Sequence, residues 1–199
     1  MSVDHPPSIL LEYCETILSS SVNDLSDMQR VTTVYEIVSA MKDVHMHNLI
    51  HRDLKPDNVL YDSSMHVKLI DFGIASPDDS SSKTVGVGSL KFMAPEILNE
   101  SSDYNEKVGI YSFGVLLFFV LSNEKYPQIS IAKVASGKKA PIPDCIDEFS
   151  RNLIMRCWST NPEERPSFAE ILEQIERANF RIIDGIEKDI FNIKKFLSI

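Results

Sequence analysis

Between Met28 and His47, apolar residues recur at Val31, Val34, Ile37, Val38, Met41 and Val44. Steps of three and four predict a helix with one buried face. Lys107 to Leu121 is apolar nearly all round and predicts a helix enclosed in the middle of a domain. Between them, Val59 to Tyr61 and Val67 to Ile70 are β-rich runs flanking Asp62-Ser63-Ser64, the pattern of a hairpin. Ser8 to Tyr13, an apolar run after Pro6-Pro7, predicts a strand, and a Ser-rich polar stretch runs from there to Asp27. Residues 74 to 91 are polar and predict a loop.

Further on, Ile129 to Ser136 predicts a short helix and Asp147 to Trp158 a longer one, with Phe149, Leu153, Ile154 and Cys157 on one side. Ser167 is placed to cap a helix that buries Phe168, Ile171, Leu172 and Ile175, with Glu170 completing a capping box. From Phe180 to Ile199 apolar and charged residues alternate, as in one more amphipathic helix. The fold class expected is mostly α with a small β element, in one domain without repeats.

Charge narrows the function classes. A net charge of −9 argues against nonspecific binding to nucleic acid or an anionic membrane. The most apolar run, Val115 to Leu121, is far short of the roughly 20 residues that a membrane span needs. The first residues lack the basic start and apolar stretch of a signal peptide. Cys14, Cys145 and Cys157 show no metal spacing and read as reduced thiols, so a cytoplasmic location is expected. For the same reason the sequon at Asn99-Glu100-Ser101 is discounted.

Three motifs carry chemistry. His51-Arg52-Asp53-Leu54-Lys55-Pro56-Asp57-Asn58 is followed by Asp71-Phe72-Gly73, whose Asp lies 18 residues after Asp53, and then by Met93-Ala94-Pro95-Glu96. In this order and spacing they resemble the catalytic loop, the magnesium-binding Asp-Phe-Gly and the Ala-Pro-Glu of protein kinases. Lys55, two residues after the catalytic Asp, is similar to the serine/threonine pattern. So is Gly88 to Met93, with Ser89 in place of the usual Thr. Tyr111 to Leu117, Cys157-Trp158 and Arg165-Pro166-Ser167-Phe168 look like the tyrosine-kinase-like group.

The resemblance implies the C-terminal lobe of a serine/threonine kinase that uses ATP and Mg²⁺ and acts on protein substrates bearing Ser or Thr. Asp53 would accept the substrate hydroxyl proton and Lys55 would face the transferred phosphoryl group. Asn58 and Asp71 would ligate Mg²⁺, which keeps waters and phosphate oxygens as its other ligands. The backbones of Glu12 and Cys14 would meet adenine, and Leu60 would form the floor beneath it. Arg52 would meet a phosphate on an activation loop carrying Ser82, Thr84 and Ser89. His51 and Phe72 would pack together, Gly73 would let the chain turn, and Glu96 would form a buried ion pair with Arg165.

Two departures from the family pattern set the competing readings. A kinase also has a Gly-rich phosphate loop, a strand Lys and a helix Glu, all expected before Ile9, where only eight residues stand. The domain expectation is therefore a remnant over 1–8, kinase hinge and C-terminal lobe over 9–178, and a helical tail over 179–199. At Gly109 the family has an Asp that accepts backbone N–H bonds from the catalytic loop. The first reading is a serine/threonine kinase in truncated form, the chain alone being inactive. The alternative is a non-catalytic kinase-like module that binds proteins.

Overall fold

In a computed structural model, the residues described are 11–72, 89–101, 104–122 and 126–177. Among these residues seven helices surround a hydrophobic core, with a three-stranded antiparallel sheet beside them.

The sheet comprises β1 (Thr16–Ile17), β2 (Val59–Tyr61) and β3 (Val67–Leu69), in that order. Thr16 pairs with Tyr61, and Val59 pairs with Leu69. The hairpin turns where the sequence places it. The Asp62 carboxylate accepts from the backbone N–H of Ser64 and of His66, at 2.9 and 3.0 Å. Alternation fixes the faces: Val59 and Tyr61 enter the core and Leu60 points to the other side, half-buried.

α1 (Leu18–Ser21) is a single turn, followed by the long α2 (Asp27–Met46). Ser26 and Gln29 form a reciprocal capping box at the start of α2, which satisfies two donors that a helix N-terminus otherwise leaves unpaired. The apolar stripe of α2 is buried at Val31, Val34, Ile37, Val38 and Met41. The helix stops at Asn48, whose φ of 57° is a left-handed conformation that Asn tolerates. α3 (Pro95–Leu98) and α5 (Ile131–Ala135) are short. In α4 (Lys107–Leu121) every residue after Lys107 is buried, as its uniform apolar character demands. α6 (Glu148–Cys157) packs on α4, and α7 (Phe168–Arg177) packs on α2. The Ser167–Glu170 capping box is present.

The structure corrects the start of the chain. Residues 11–13 are not in a strand; the strand is Thr16–Ile17, within the stretch read as polar. That stretch also holds α1, and Leu18, Val22 and Leu25 are core residues. Leu18, Val22 and Leu25 stand at i, i+4 and i+7, a helical spacing too short and too diluted by serines to outweigh the stretch's polar composition. Residues 1–8, the tail over 179–199 and Gly73, Ser82 and Thr84 lie outside the described residues, as does the Ser89 side chain.

At the base, Arg165 is 1% exposed and forms a bidentate pair with Glu96, at 2.6 and 2.8 Å. It also donates to the carbonyls of Ser159 and Lys107, at 2.9 and 3.0 Å. The buried ion pair expected between these residues is thus present, and it ties α3 to the approach to α7.

Candidate active site

Between α2 and β2 the chain runs through residues 51–58, and local bonds hold this loop in shape. Arg52 has a φ of 59°, and the Asp53 N–H donates back to the His51 carbonyl at 2.7 Å. A one-turn helix over Pro56–Asn58, begun by a proline whose missing N–H costs nothing there, aims Asn58 back at Asp53. Asn58 is buried, and its Nδ2 donates to the Asp53 carbonyl at 2.7 Å and to Asp53 Oδ2 at 3.0 Å. The Lys55 ammonium reaches the same carboxylate oxygen at 2.6 Å. Asp53 is therefore held by two donors while its side chain remains 38% exposed, open to a reactant.

β3 delivers the second carboxylate. The Ile70 N–H donates to the Asn58 carbonyl at 3.1 Å, which places the next residue, Asp71, beside the loop. Asp71 is exposed and has a φ of 59°. Phe72 turns back onto His51, with ring centroids 4.8 Å apart. His51 is fully buried, and burial lowers its pKa, so it packs as a neutral ring.

The donor set fits one hard divalent cation shared with phosphate oxygens. With its amide nitrogen turned to Asp53, Asn58 has its carbonyl oxygen left for a ligand, and Asp71 adds an exposed carboxylate. Among the described residues no group of three or more His, Cys, Asp or Glu forms a metal cage. Two oxygen ligands suit Mg²⁺, which keeps most of its shell as water and phosphate.

The remaining expected residues come together less tightly. Leu60 pairs across the sheet with Lys68, whose ammonium lies 3.0 Å from the Glu12 carboxylate. Cys14 is half-buried near the same edge. Arg52 lies with its guanidinium carbon 5.5 Å from the Tyr104 ring centroid, and its Nε is buried without a hydrogen-bond partner among the described residues.

Sequence reading missed Glu36. Its carboxylate accepts from the Val67 N–H and meets His66 Nδ1, both at 2.7 Å, and so ties the hairpin that carries Asp71 to α2. A single Glu on a helix carries no signal of a partner 31 residues away.

At Gly109, an added Cβ would lie 3.6 Å from His45 Nε2. The nearest group to this position is therefore the His45 ring rather than the catalytic-loop backbone. His45 Nε2 is itself buried without a partner among the described residues.

The profile of the protein kinase domain matches residues 4–175. A probable serine/threonine-protein kinase of Dictyostelium discoideum is 33% identical over 177 residues, covering 85% of this chain and 13% of that protein. A dual specificity protein kinase of the same organism is 30% identical over 194 residues, 89% of this chain and 14% of the relative. A serine/threonine/tyrosine-protein kinase of Arabidopsis thaliana is 33% identical over 159 residues, 76% of this chain and 40% of the relative. The chain spans well under half the length of each of these proteins. No described helix is long and apolar enough to cross a membrane.

Proposed function

Since this chain belongs to the protein kinase family, we propose that it carries the lower half of a serine/threonine kinase site. The reaction is transfer of the ATP γ-phosphoryl group to a Ser or Thr hydroxyl of a protein. The observation that carries this reading is the Asp53 carboxylate, oriented by Lys55 at 2.6 Å and Asn58 at 3.0 Å yet open on its other side.

The acceptor oxygen attacks the γ-phosphorus, the bond to the β-phosphate oxygen breaks, and ADP leaves. Asp53 takes the proton from the acceptor hydroxyl. Lys55 sets a positive charge beside the phosphoryl group, where it offsets charge that the nucleotide carries. Asn58 and Asp71 would hold a Mg²⁺ ion, which would supply neutralisation of the phosphate oxygens. Arg52 would receive an anion carried on the segment that follows Asp71. Glu12, Cys14 and Leu60 form the adenine edge.

No Gly-x-Gly-x-x-Gly occurs in the 199 residues. Positioning supplies most of the catalysis in phosphoryl transfer. The isolated chain is therefore expected to bind MgATP weakly and to turn over little of it. The second reading, a non-catalytic binding module, is favoured by exposed apolar side chains at the open face: Leu11 is 77% exposed, Tyr13 82% and Phe72 43%.

Nucleotide binding by the purified chain tests the site. Binding should need Mg²⁺ and should weaken when Asp71 becomes Asn. Nucleotide affinity indifferent to both would remove the metal assignment and favour the binding module. Turnover on a general Ser/Thr substrate that Asp53→Asn abolishes would show that this half suffices alone.

A further inference from the structure

The net charge is −9, yet four lysines gather beside the segment that ends at Glu96. Lys91, Lys138 and Lys139 line a shallow recess of about 20 Å³, and its lining contains no acidic residue. Lys133 lies on α5, which contributes Ile131 and Val134 to the apolar floor. None of the four makes an ion pair among the described residues, whereas Lys42, Lys55, Lys68, Arg151, Arg165 and Arg177 all do. The Lys91 ammonium sits 4.4 Å from the Tyr126 ring centroid, and Lys139 donates to the Met155 carbonyl at 3.1 Å. Hydrogen bonds from Ser159 and Asn161, and then the charge of Lys139, hold the Glu164 carboxyl below its usual range.

The Tyr126 ring beneath Lys91 also packs on Phe92, with centroids 5.8 Å apart, which seats the rim against the segment that ends at Glu96. Burial first, and then the charge of Asp57, raises the Tyr126 pKa, so the ring that carries Lys91 on its face lies within the field of a residue four places after Asp53. Like charges grouped without partners repel one another, and a negative partner removes that repulsion while speeding encounter.

We propose that the recess and its lysine rim receive the acidic flank of the protein substrate, so that Ser or Thr acceptors beside Asp or Glu are favoured. The proposal rests on the phosphotransfer reading for what the bound peptide is used for, and on the rim alone for binding. The apolar floor of Ile129, Ile131 and Val134 suits a peptide, whose apolar atoms can lie across its surface between carboxylates. A nucleic-acid backbone offers no such group and is repelled by the chain's overall charge.

The test is fluorescence anisotropy with the whole chain and two labelled Ser-containing peptides, one flanked by Glu and its twin flanked by Gln. The acidic peptide should bind at least about tenfold more tightly, and the difference should vanish in roughly 0.5 M salt, as screened charge pairs do. Lys133→Glu, Lys138→Glu and Lys139→Glu together should abolish that preference. The same variant should instead favour a Lys-flanked peptide, which also shows that it is folded. Equal binding of the Glu and Gln peptides, or an acidic preference that survives the charge reversal, overturns the proposal. Acidic binding in a chain without Mg²⁺-dependent nucleotide binding upholds the rim while removing the kinase reading. Phosphotransfer without acidic preference does the reverse.

Discussion

Arg165 and Arg52 are both arginines drawn towards the interior, and their surroundings differ sharply. Arg165 is held by a bidentate carboxylate and two carbonyls, with no exposed side-chain surface. Arg52 keeps a strained positive φ, a Tyr104 ring 5.5 Å away and a buried Nε with no partner among the described residues. The Arg165–Glu96 site is complete in itself. Beside the candidate site, Arg52 Nε is left without a partner among the described residues.

The largest effect should come from breaking the complete side. Arg165→Met leaves the Glu96 carboxylate stranded beneath α3, and losing one partner of a buried pair costs about 3–5 kcal/mol. A urea unfolding midpoint that moves only slightly would show that Glu96 relaxes into water. Combining it with Glu96→Leu should cost clearly less than the two single changes added together, because the stranded charge goes too.

Two glycines of α4 sharpen the contrast. At Gly114 a Cβ would meet Cys157 Cβ at 2.7 Å and Trp158 Cδ1 at 2.8 Å, both on the backbone-anchored side of tightly packed residues. Gly114→Ala should cost about 1–3 kcal/mol by overpacking. At Gly109 the nearest neighbour of an added Cβ is 3.6 Å away, an ordinary contact. Gly109→Ala should therefore stabilise, by up to about 1 kcal/mol, the helix-propensity gain of Ala over Gly. If both changes destabilise alike, the loop side is packed as tightly as the base and the comparison fails. Thermal unfolding of the two variants measures this directly.

How much was legible in the sequence follows the same division. The α2 stripe, the all-apolar α4, the hairpin about Asp62 and the Ser167–Glu170 cap each rest on a local pattern, and each is in the structure. The Glu96–Arg165 pair was legible only through family resemblance, because the partners are 69 residues apart. Asp53, Asn58 and Asp71 were legible as motifs, and the structure adds the bonds that bring them together. What escaped was set by tertiary contact alone. β1 has two residues and exists because Thr16 and Ile17 meet β2, and Glu36 matters because it faces the hairpin. The surroundings of Gly109 escaped too: the resemblance pointed to the catalytic-loop amides, while the nearest group is the ring of His45 on α2.

That ring gives the smallest effect and the finest test. His45 stands edge-on to Phe168 with centroids 5.0 Å apart, and burial lowers its pKa; Glu106 partly opposes the shift and Lys107 adds to it. Burial lowers the pKa of His51 as well. A histidine whose folded pKa lies below the unfolded value of 6.5 binds fewer protons in the folded state. Stability should therefore be level above pH 6.5 and fall as the pH drops below it. Gly109→Asp places a carboxylate within reach of His45 Nε2 and favours the imidazolium, which moves the His45 pKa upward. Its contribution then changes sign: it is fully present below the unfolded pKa and is lost as pH rises through the folded one. The loss of stability between about pH 7.5 and 5.5 should shrink, His51 accounting for the loss that remains. His45→Leu should shrink it less, because it removes the His45 loss without adding a gain at low pH. Urea midpoints at the two pH values for the three chains decide the matter. If Gly109→Asp leaves the acid loss unchanged and instead slows amide exchange at residues 51–53, the carboxylate has turned to the catalytic loop. The resemblance would then have described this position better than its nearest neighbour does.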